Sequence, residues 1–147
     1  MALSTEQISE YLGKVDENQA ESIQILRSLV LQCEPDLDEQ VCTDKWYGGL
    51  LVYNDPKGYS VYALGPRANG KTTFHMLPYY CSATYHERHG VALKKFLSGK
   101  SCLLFKHARE LPLDSIKDIL TGGASNVAKA LAQRDESRKA KSKKKLS

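Results

Sequence analysis

The chain has no long hydrophobic run. Nothing in its 147 residues approaches the ~20 consecutive apolar positions that a membrane-spanning helix requires. The N-terminal MALSTEQISEYL lacks a basic flank followed by an apolar segment, so no secretory signal is read and cytoplasmic residence is expected. No Cys-x-x-Cys pair exists: Cys33, Cys42, Cys81 and Cys102 are widely spaced and form no zinc-ligand pattern. In a reducing compartment they act as small, mostly buried hydrophobes. Internal repeats are missing, as is any Ser/His/Asp or Cys/His spacing that marks a nucleophile.

What the chain does have is enough apolar material, 41%, for a folded core. Its net charge of +4 is unevenly placed. Residues 129–147 carry eight Lys/Arg against Asp135 and Glu136, leaving the rest of the chain at −2. The basicity therefore belongs to a tail, and 126–147 is read as a basic, disordered appendage to a folded unit spanning 1–125.

Residues 65–72, GPRANGKT, fit the phosphate-loop pattern at Gly65, Gly70, Lys71 and Thr72. A phosphate loop needs a helix opening at the Lys-Thr end, its N-terminus aimed at the phosphates. Here TTFHMLPYY follows, β-branched and aromatic, and it soon reaches Pro78. Pro66 removes one loop N–H, and no apolar run ending in Asp follows to hold magnesium. The match is read as a hairpin turn, and no nucleotide hydrolysis is inferred from it.

A coarse pass supports that context. STEQISEYLGKV suits a short capped helix, and Glu17–Cys33 a longer one with Ile23, Leu26, Leu29 and Val30 on one stripe, stopped by Pro35. The acidic stretch Glu34, Asp36, Asp38, Glu39 is read as a loop or turn. GGLLVYN, GYSVYALG and KTTFHMLPY are then three consecutive antiparallel strands, separated by turn-forming Asn-Asp-Pro-Lys-Gly and Pro-Arg-Ala-Asn-Gly. A helix follows over SATYHERHGVALKKFLSG, broken or bent at Gly90. SCLLFKH is a fourth strand, and Leu111-Pro112-Leu113-Asp114 opens a helix that stops at Gly122-Gly123. The fold class is α+β: one compact domain, an antiparallel sheet with a central β-meander, and helices packed against it.

The run Gly99-Lys100-Ser101-Cys102-Leu103-Leu104-Phe105-Lys106, followed by Leu111-Pro112-Leu113 and Ile116, resembles the C-terminal signature of the YdhG-like family, a widespread bacterial domain of unknown function. The preceding helix, the acidic turn, Trp46 and the hairpin follow in that family's order, so the resemblance covers about residues 5 to 122. After the tryptophan the family shows a Gly-x-Pro-aromatic turn, whereas this chain has Tyr47-Gly48-Gly49-Leu50. The resemblance implies a curved antiparallel sheet with helices on it and little chemistry. Some relatives are described as frataxin-like iron chaperones.

Nine of the twelve aromatic residues fall between Trp46 and Tyr85, which suits a groove, an interface or a core rim. Alternation sets Tyr59, Val61, Ala63, Phe74 and Met76 on one sheet face, and Tyr62, Leu64, His75, Leu77 and Tyr79 on the other. The second face must be covered by the 82–98 helix, another subunit or a ligand. Trp46, Tyr62, His75 and Tyr79 are the candidate ligand-binding residues, with an unknown small molecule, a protein or a second copy as partner. A rival enzyme reading uses a pocket of Tyr62, His75 and Tyr79, with His75 as acid–base group. If iron is the cargo, Glu34, Asp36, Asp38 and Glu39 are its candidate ligands, because hard cations prefer carboxylate oxygen. His86-Glu87-Arg88-His89 is helix polarity without a third ligand. The Lys-rich tail, lacking interleaved aromatics, offers nucleic acid weak contacts only.

Overall fold

Two capping boxes start the chain. Ser4 Oγ accepts from the Gln7 N–H at 3.1 Å while the Gln7 side chain accepts from the Ser4 N–H at 2.9 Å, opening α1 (Thr5–Leu12). Asp16 and Gln19 repeat the device at α2 (Glu17–Cys33), whose Ile23, Leu26 and Val30 are fully buried. The computed structural model describes residues 1–45 and 47–146, with side chains through residue 142; Trp46 lies outside the described residues.

Five strands follow in sequence order: β1 (Asp38–Val41), β2 (Leu51–Asn54), β3 (Ser60–Pro66), β4 (Thr72–Met76) and β5 (Cys102–Phe105). They form one antiparallel sheet in the order β1-β2-β3-β4-β5, with β2-β3-β4 as the meander. Between β4 and β5 lie α3 (Leu77–Cys81) and α4 (Ala83–Leu93); α5 (Leu113–Leu120) and α6 (Gly123–Leu146) close the chain. The molecule is a single α+β domain. Among the described residues, no helix is long and apolar enough to cross a membrane.

Register decides which side chains share a face, because directly paired residues project to the same side. One row across the sheet is Glu39, Tyr53, Tyr62, Met76; its neighbour is Val41, Leu51, Leu64, Phe74, Leu103. Most of their inward side chains join Ile23, Leu26, Val30, Ile116, Ile119 and Val127 in one core, so the helices pack on this face. Each fully buried side chain of this size contributes about 1.5–3 kcal/mol. The row between them, Gln40, Val52, Ala63, His75, Cys102, projects to the other side. A small separate cluster gathers there: Leu50, Val52 and Ala63, packed by Cys42 and Tyr47.

Several expectations need correction. Tyr62 and His75 lie on opposite faces, because Ala63 is the residue across from His75. The turn between paired Pro66 and Thr72 sets that register, and a shift of one position exchanges the faces. The acidic stretch is not a loop throughout; Asp38 and Glu39 open the edge strand β1. The third strand of the meander ends at Met76, and Pro78 sits in the first turn of α3. Helix α4 passes through Gly90 without interruption. Where a tail was expected after residue 125, the chain is helical to Leu146, and Val127 is fully buried.

Candidate functional site

The GPRANGKT turn is a hairpin. Thr72–Met76 is strand, and the residues that turn the chain are Asn69 (φ 63°) and Gly70 (φ 72°). Lys71 N–H donates to Ala68 O at 3.4 Å and Arg67 N–H to Lys71 O at 2.8 Å, so these two loop amides are spent within the turn. The Gln19 side chain donates to both Arg67 O and Lys71 O, at 3.0 and 2.7 Å. Gly65 serves packing: a Cβ there would lie 2.6 Å from Leu50 Cδ2 and 2.7 Å from the Tyr11 hydroxyl.

Tyr62, His75 and Tyr79 do not form one pocket. Tyr62 is fully buried beneath the helices, its hydroxyl donating to Glu34 Oε2 at 3.4 Å and touching the position of Gly123. Tyr79 meets His86 of α4 instead, ring centroids 4.5 Å apart and tilted at 58°. With Tyr62 covered, the enzyme reading built on those three residues has no cavity to work in.

The four acids diverge as well. Glu39 is held by Arg27 in two hydrogen bonds of 2.8 Å, by the Tyr53 hydroxyl at 2.6 Å and by Leu3 N–H at 2.9 Å. Asp38 pairs with the N-terminal ammonium at 3.2 Å, and Glu34, at the C-terminal end of α2, accepts from Ala124 N–H of α6 at 2.8 Å. Among the described residues, no group of three or more His, Cys, Asp or Glu is placed to hold a metal ion. Glu34, Asp36, Asp38 and Glu39 are therefore not a joint ligand set.

His75 is different. It sits on the sheet face without helices, 8% exposed, between β3 and β5. Ser101 Oγ is 3.1 Å and Cys102 Sγ 3.3 Å from its Nδ1. Across the ring, the Tyr47 hydroxyl is 3.4 Å from Nε2, and the two rings lie 5.4 Å apart at 38°. The strand pairing His75–Cys102 fixes Ser101 and Cys102 beside the imidazole, and the loop between β1 and β2 brings Tyr47 over it.

A pocket of about 430 Å³ opens on the Nε2 side, lined by Asp44, Tyr47, Tyr59, Ser60, His75 and Leu77 with Gly58 at its rim. Neither Ser101 nor Cys102 lines it, so the Nδ1 edge is turned into the protein. A hydroxyl and a thiol, each able to donate, converge on Nδ1, and sulfur is a poor acceptor; this favours the tautomer protonated at Nε2. Burial holds His75 below the ordinary histidine value and pushes the Tyr47 phenol and the Cys102 thiol up. At neutral pH the His75 and Tyr47 floor of the pocket is therefore uncharged, with one N–H donor and one phenol; Tyr59 and Leu77 give apolar walls, and Asp44 and Ser60 add polar groups to the lining.

Of the described residues expected to bind a ligand, His75 lines this pocket, Tyr79 lines a separate one with Tyr80, His86 and Leu97, and Tyr62 is buried. Tyr47 and Tyr59 were counted among the aromatics but not singled out, because their meeting at His75 depends on how the 42–50 and 55–59 loops close. Comparison of the chain with family models, with curated proteins and with solved structures found no match.

Proposed function

We propose that the protein is a non-catalytic binding domain, YdhG-like in class, that holds a small uncharged molecule with a flat apolar body and a hydrogen-bond acceptor. The observation that carries this reading is the imidazole of His75 at the floor of the 430 Å³ pocket, its Nε2 edge directed to the opening beside the Tyr47 hydroxyl. An apolar surface, here Tyr59 and Leu77, with a few convergent polar groups is what small-molecule sites usually offer. The acceptor would meet Nε2–H and Tyr47 O–H while the apolar body lies against Tyr59 and Leu77. A raised thiol and a depressed imidazole do not make the thiolate–imidazolium pair that covalent chemistry uses, which supports binding over catalysis.

Benzamide is a suitable probe, with benzoate and benzylamine as charged controls. Titrated into labelled protein, it is expected to shift the His75 ring and the Tyr47 and Leu77 resonances with affinity on the order of millimolar, and to outbind both controls. Tyr47→Phe should weaken it and His75→Phe should abolish it. Equal shifts from all three probes, or shifts unchanged in both variants, would remove the reading.

A further inference from the structure

A second cavity, about 470 Å³, lies on the opposite side of the sheet. It opens between the C-terminal end of α2, the β2–β3 turn and the first turns of α6. Pro35, Leu37, Pro56, Ala124 and Ala128 give it apolar walls. Glu34 is its half-buried polar group: Oε2 already accepts from Ala124 N–H at 2.8 Å and from the Tyr62 hydroxyl at 3.4 Å, whereas Oε1 takes no hydrogen bond among the described residues. Asp36 and Asp55 also line the cavity, against one cation, Lys57, so its charge is acidic on balance.

We propose that this cavity binds a small organic monoamine, with the ammonium on Glu34 Oε1 and a short apolar chain against Pro35, Pro56 and Ala128. Three observations choose that chemistry. The acidic balance asks for a cation. The apolar walls ask for a carbon chain on it, and no set of three metal-ligating side chains is present among the described residues. Glu34 offers one open oxygen only, which suits the point charge of an ammonium; a guanidinium would want both oxygens for its paired N–H groups. Burial, with the Asp36 charge nearby, raises the Glu34 carboxyl above its ordinary value, and an ammonium at Oε1 would lower it again.

The test uses the whole chain with hexylamine, and with hexanol and hexanoate as chain-matched controls. Hexylamine is expected to shift the Glu34 carboxyl and the Ala124 and Lys57 amides saturably, and to bind at least about tenfold tighter than hexanol, a factor worth about 1.4 kcal/mol. Glu34→Gln keeps an oxygen for Ala124 N–H but removes the charge, and should cost that tenfold. Ala128→Phe, on an exposed position, should block the cavity with Glu34 intact. His75→Phe should leave hexylamine binding unchanged, which keeps this site distinct from the benzamide pocket. Equal binding of hexylamine and hexanol to the unaltered protein would overturn the proposal. So would hexylamine binding that Ala128→Phe does not touch.

Discussion

Glu39 shows how much a single side chain can demand of its surroundings. Its carboxylate is buried, with the side chain 0% exposed, and faces the helical layer where an apolar residue would ordinarily sit. Burial pushes its carboxyl up, but hydrogen bonds from Arg27, Tyr53 and Leu3 outweigh this and hold it below the usual range. The stabilisation it gives is therefore present above the unfolded value of about 4.3 and is lost as pH falls through the lower folded value. Arg27→Met leaves the carboxylate in place without its cation and should cost roughly 3–5 kcal/mol in urea unfolding at pH 7. The triple change Arg27→Met, Glu39→Leu, Tyr53→Phe removes the carboxylate together with both side-chain partners, leaving only the part-buried Leu3 N–H without its acceptor, and should recover most of that loss. If the triple variant is as weak as Arg27→Met alone, the stranded charge is not the cause. The sequence shows Glu39 as one of four neighbouring acids, and nothing in that grouping distinguishes the buried one from the exposed Asp36. Only the strand pairing does, since Glu39 stands opposite Tyr53.

The β3–β4 hairpin was the most legible element. Its β-branched and aromatic content after Lys71, together with Pro66 and Asn69-Gly70, identifies strand–turn–strand despite the nucleotide-loop match. The register within it was not legible, because composition marks the strands but a one-residue difference in turn length exchanges faces. That exchange misplaced His75 beside Tyr62 and hid the pocket at Tyr47 and Tyr59. The hairpin makes its own test of what the motif residues do. Gly65→Ala puts a methyl against Leu50 and the Tyr11 hydroxyl and should cost about 1–3 kcal/mol by overpacking. Lys71→Ala should stay within about 0.5 kcal/mol of the unaltered protein, as a surface change does. A phosphate-binding loop would show the reverse in an ATP-retention assay: Lys71→Ala would then abolish binding that the unaltered protein has. Thermal unfolding of both variants, with and without ATP, separates these outcomes.

At the scale of the molecule, the helices lie on one face of the sheet and both sheet edges are occupied. Glu39 N–H donates to Met1 O along β1, and Ser98 N–H donates to Cys102 O along β5. Edge pairing of this kind blunts strand addition by other chains. The charge is carried elsewhere, on α6, and its two halves differ. Ala124, Val127 and Leu131 pack on the core, whereas residues 132–142 are exposed throughout. The composition of that second half told of solvation but not of conformation, because Lys, Arg and Ala favour helix while giving it nothing to pack against. Stability and charge should therefore separate on truncation. Deleting 133–147 removes seven Lys/Arg and two Asp/Glu, taking the net charge from +4 to −1. It should leave the unfolding free energy within about 0.5 kcal/mol, since the described side chains of that segment, 133–142, are all exposed, and it should abolish salt-sensitive retention on heparin. Deleting 123–147 also exposes Tyr62, removes the Ala124 N–H from Glu34 and loses the buried Val127. That larger deletion should cost about 2 kcal/mol or more, from apolar burial alone. Equal destabilisation by the two deletions would mean that the outer half of α6 contributes to the fold, and heparin retention surviving the first would place the basic surface on the body of the domain.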